Sequence, residues 1–69
     1  MSDMSVKTDF VIGQVVYMRG DEDNRVWIVL AFVIFEDHIE YVLCSGGDEM
    51  TANRLEISAE RQITGVNYN

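Results

Sequence analysis

From Val26 to Phe35 the sequence reads VWIVLAFVIF, ten consecutive apolar residues in a chain of only 69. The run is rich in β-branched and aromatic side chains and is about half as long as a membrane-spanning helix requires, so it reads as a buried strand. Alternation sets Val26, Ile28, Leu30, Phe32 and Ile34 on one face and Trp27, Val29, Ala31, Val33 and Phe35 on the other. Both rows are water-averse. A strand of this kind is satisfied in a small protein only if it bends sharply, lining a barrel at one end and meeting another surface at the other.

Chain length makes the burial problem acute. Sixty-nine residues allow one domain, not a two-lobed enzyme, and a domain this short buries barely enough apolar surface to offset its conformational entropy. One cysteine precludes an internal disulfide, and no Cys/His spacing suits a structural zinc. Self-association is the expected remedy, with a homodimer as the expected form and Trp27, Val29 and Phe35 as the expected contact residues.

Twelve acidic residues against five basic ones give a net charge of -7 and a pI near 4.3. That potential repels phosphate backbones and anionic lipid headgroups, so neither direct nucleic-acid binding nor a membrane partner is expected. A second protein with a basic surface is the alternative partner: the chain would then act as an acidic nucleic-acid mimic occupying a basic groove, which requires most of the acids to share one face. They are scattered from Asp3 to Glu60. The N-terminus, MSDMSVKTDF, has no cationic segment followed by an apolar core, so a cytoplasmic location is expected.

The rest of the chain reads as short strands and turns. Residues 1–9 carry no periodic apolar pattern and are expected to be disordered or loosely packed. A lead-in with a bend at Gly13 precedes a first strand over Gln14 to Met18, and Arg19 to Arg25 (RGDEDNR) form an exposed hairpin loop. The strand over Val26 to Phe35 is followed by a polar turn, Glu36 to His38, and a third strand, Ile39 to Cys44. Gly46 and Gly47 mark a turn that needs positive φ. Glu49 to Thr51 suit a fourth strand, Thr51 caps one helical turn over Ala52 to Arg54, and Leu55 to Ile57 return to extended structure. Beyond Ser58 the pattern is weak, consistent with a short helix capped by Ser58 or with a C-terminal extension that trails off.

This order of elements resembles the SH3-like small β-barrels, particularly the Tudor-like and KOW-like members. The opening phrase F-x-x-G-x-x-V looks like Phe10, Gly13 and Val16, and the closing T-A-N-R-L-E, Thr51 to Glu56, looks like the turn and final strand that complete such a barrel. Small phage and mobile-element proteins are similar in style. The resemblance spans residues 10–57 and implies an all-β domain, a five-stranded SH3-like barrel with one short helical turn. Members that contact RNA present basic loops, whereas the corresponding loop here holds Asp21, Glu22 and Asp23, so the resemblance carries no nucleic-acid function.

Catalytic candidates are few. His38 and Cys44 are the residue types for a nucleophile and its base, but they fall at opposite ends of one strand, about 20 Å apart if it is regular. Asp21 to Asn24 supply oxygen ligands without the loop length, glycine and terminal glutamate of a calcium site. The tripeptide Arg19-Gly20-Asp21 lies inside a turn, and the glycine pair lacks the lysine and helix of a phosphate cradle. Tyr17, Trp27 and Tyr41 could form an aromatic cage for a cationic side chain. The sequence thus indicates no enzyme, no cofactor and no metal, but an interaction module.

Overall fold

The computed structural model describes residues 8–61. They form five antiparallel strands: β1 (Val15–Met18), β2 (Trp27–Ile34), β3 (Ile39–Ser45), β4 (Asp48–Asn53) and β5 (Ile57–Ser58). The sheet order is β4-β3-β2-β1-β5, so the domain is all-β as expected. Buried residues from every strand, with Phe10 of the lead-in, make one cluster: Val16, Trp27, Val29, Tyr41, Leu43, Ala52 and Ile57. Ala52 and Ile57 belong to the two outermost strands. Their meeting in one cluster means that the sheet is curled around its core.

Local chemistry explains the turns. β3 and β4 are joined by Gly46 and Gly47 alone, with φ +60° at Gly46 and no positive φ at Gly47, the pattern of a type II′ hairpin. Asp21 organises the loop after β1: its carboxylate accepts from the amides of Asp23 and Arg25 at 3.0 and 3.1 Å. The expected helical turn over Ala52 to Arg54 is displaced. Ala52 and Asn53 finish β4, and one turn follows in which the Glu56 amide donates to the Asn53 carbonyl at 3.0 Å. Ala52 is a register partner of Tyr41 and packs into the core, which outweighs Thr51 as a cap. β5 shifts accordingly to Ile57–Ser58.

No helix starts at Ser58, which pairs with Tyr17 in β5 while its Oγ accepts the Glu60 amide. Residues 1–7 and 62–69, to which the expectations of a loose N-terminus and of an extension largely refer, lie outside the described residues. Asp9 is tied down: its amide donates to the buried Tyr41 hydroxyl at 3.0 Å.

The decisive irregularity is in β2. Its pairing with β3 slips between Val29 and Ala31, so Leu30 is an extra residue bulged from the ladder. Cross-strand partners share a face, and Val29 opposite Leu43 and Phe32 opposite Tyr41 therefore both point inward. The inward row is Trp27, Val29, Phe32 and Ile34. The outward row is Ile28, Leu30, Ala31 and Val33. Neither is the row that strict alternation gives.

Candidate interaction surface

Two of the three residues expected to make a contact surface lie in the core. Val29 is fully buried and Trp27 is 6% exposed, both in the cluster that also holds Val16, Leu43 and Ile57. Phe35 is on the surface, just beyond the strand. From Leu30 onward the apolar run is exposed: Leu30, Val33, Ile34 and Phe35 are 42, 44, 54 and 44% exposed. Val15, opposite Ile28, and Val42, opposite Ala31, widen this surface on the outward side, Val15 exposed and Val42 half-buried. Val11 and Ile12 of the lead-in, both more than half exposed, lie beside its near end through the bond from the Gly13 amide to the Val29 carbonyl. Such contiguous apolar exposure is the feature that monomeric domains usually avoid.

Position along β2 explains the exposure. β1 pairs only with Trp27 and Ile28, and the Val29 amide and carbonyl are taken by the Gln14 carbonyl and the Gly13 amide. Past Val29, no described strand lies on that side of β2.

The β2–β3 turn at the far end is a polar cluster. The His38 ring stacks on Phe35 with centroids 4.5 Å apart and planes 7° from parallel. Its Nδ1 is 2.7 Å from the Asp37 carboxylate and its Nε2 is 3.1 Å from that of Glu40. Only the imidazolium can donate to both carboxylates. The hydrogen bond to Asp37, then that to Glu40, accordingly raises His38 above its ordinary value, and the same bond lowers Asp37. The spacing Asp-His-x-Glu, on a turn leading into a strand, was the sequence signal for this cluster.

Arg25 anchors the loop after β1 to the β3–β4 hairpin. Its guanidinium donates to Ser45 Oγ at 2.8 Å, to the Ser45 carbonyl at 2.9 Å and to Asp48 at 2.6 Å, and lies over Trp27 at 4.8 Å. It covers a face of the Trp27 indole.

An open cleft of about 480 Å³ lies between Asp9, His38, Tyr41 and Arg54. Its lining includes no cysteine, serine or threonine, and Cys44 sits opposite Ile28 at the other end of β3. The described residues contain no cluster of three or more His, Cys, Asp or Glu suited to a metal ion, and no helix long and apolar enough to cross a membrane. Tyr17, Trp27 and Tyr41 do not make an open cage: Trp27 and Tyr41 are buried, and Tyr41 packs edge-on against Phe10 and Phe32. Comparison with family models finds no match, and searches of curated proteins and of solved structures find none either.

Proposed function

We propose that this chain is a non-enzymatic interaction module that self-associates through the apolar surface on the second half of β2. The carrying observation is that from Leu30 onward the run stays uncharged but is no longer covered: Leu30 and Val33 are exposed on the outward face, and Ile34 and Phe35 at the far end, whereas Trp27 and Val29 are buried. Full burial of such a side chain is worth roughly 1.5 to 3 kcal/mol; these are already about half buried, so covering the rest gains about half of that for each, and two copies contributing the same patch gain it twice. The proposed occupant is a second copy, and charge restricts where it can approach. With a net charge of -7, two copies meet most easily where neither carries an acid, and Val26 to Phe35 is the longest uncharged run in the chain. Strand order and the one-turn link between β4 and β5 support an SH3-like reading of the scaffold.

Replacing Leu30 or Phe35 by aspartate tests the proposal. Light scattering is expected to give an assembly for the parent chain and 7.9 kDa for each variant, with β-type circular dichroism retained. Variants that keep the parent's assembled mass would refute it.

A further inference from the structure

We infer that the assembly forms by edge-to-edge pairing of β2 with β2 of a second copy, antiparallel and centred on Val33. The inference rests on the self-association proposed above and specifies how it occurs.

Hydrogen-bond alternation along the β2–β3 hairpin carries the argument. The Phe35 amide donates to the His38 carbonyl at 2.8 Å, so Phe35 and His38 form a hydrogen-bonded pair. In an antiparallel ladder such pairs alternate with non-bonded ones, which makes Val33–Glu40 and Ala31–Val42 bonded and Ile34–Ile39 and Phe32–Tyr41 non-bonded. The amides and carbonyls of Phe32 and Ile34 therefore point away from β3. On the same edge nearer β1, the Val29 amide and carbonyl also point outward, and there they are bonded by Gln14 and Gly13. The bulge at Leu30 preserves this edge beyond Val29 but leaves it without a neighbouring strand among the described residues.

Natural sheets protect such edges with charge, proline or a covering element. The terminal strand β4, for example, begins with Asp48 and Glu49. The β2 edge has none of these: Leu30 to Phe35 contain no charge, no proline and no glycine, the composition of a strand that pairs with its own kind. Placing Val33 opposite Val33 of a second copy sets Phe32 opposite Ile34 and Ile34 opposite Phe32, so each outward amide meets an outward carbonyl. The exposed outward Val33 side chains then adjoin across the twofold axis. Glu36 falls opposite Leu30 of the other copy and not opposite its own symmetry mate, so the register opposes no like charges directly.

Amide hydrogen exchange across a dilution series tests this. Raising the unmodified chain to a hundred times its dissociation constant leaves about one chain in fifteen as monomer, so exchange at Phe32 and Ile34 is expected to slow by about fifteenfold relative to their neighbours Ala31 and Val33, whose amides already face β3. A synthetic chain with an N-methyl group on the Ile34 amide is expected to remain at 7.9 kDa with unchanged circular dichroism. An assembly in which Phe32 and Ile34 exchange freely, or which the N-methylated chain still forms, would overturn edge pairing while leaving self-association through the β2 surface intact. A chain that stays at 7.9 kDa at every concentration would overturn both.

Discussion

Leu43 and Leu30 are the same residue type on adjacent strands with opposite roles. Leu43 is fully buried opposite Val29, and Leu43→Ala is expected to cost about 3 kcal/mol in denaturant unfolding. Leu30 is bulged and 42% exposed, and Leu30→Ala is expected to change the stability of the dissociated chain by less than about 0.5 kcal/mol. Equal losses would contradict the inward and outward assignment. His38 yields a prediction in pH. Its imidazolium is held by Asp37 first and by Glu40 second, so its NMR titration is expected to have a midpoint above that of an unperturbed histidine. Because the folded value is raised, the stabilisation is fully present below the ordinary histidine value of about 6.5 and disappears as pH rises through the folded value. The stability difference between the parent and His38→Gln is therefore expected to be largest in mild acid and to vanish in alkali; a difference that grows with pH would contradict the ion-pair geometry.

At the scale of elements, strand identities were legible because turn residues bracket apolar runs: Gly46-Gly47 between β3 and β4, and Glu36 to His38 between β2 and β3. The face of β2 was not legible. Both of its rows are apolar, so no polar residue marks the outside, and nothing in VWIVLAFVIF signals that Leu30 leaves the ladder. Only the pairing with β3 fixes that, and it is why Trp27 and Val29, expected at a contact surface, are core residues while Leu30, Val33 and Ile34 are exposed. Arg25 was equally opaque, since its partners Ser45 and Asp48 are distant in sequence and meet it only after β3 and β4 form. Two substitutions probe these connections by thermal unfolding. Gly46→Ala forces a side chain into the left-handed region at φ +60° and is expected to cost about 1 kcal/mol. Arg25→Ala removes an exposed but multiply bonded clamp and is also expected to cost about 1 kcal/mol, whereas Arg54→Ala, whose contact with Asp9 is 3.7 Å long, is expected to cost almost nothing.

For the molecule as a whole, a curled five-stranded sheet buries one face well and leaves half of its longest strand wet. Apolar attraction across that strand opposes repulsion between copies that each carry a charge of -7. Salt screens the repulsion without weakening the attraction, so self-association is expected to strengthen between low and moderate ionic strength. Capture of a basic partner by the acidic surface would weaken over the same range. Sedimentation equilibrium of the unmodified chain from micromolar to millimolar concentration, at both ionic strengths, is the most direct measurement. An average mass that rises above 7.9 kDa with concentration, and rises sooner in salt, is expected; a mass fixed at 7.9 kDa throughout would contradict self-association.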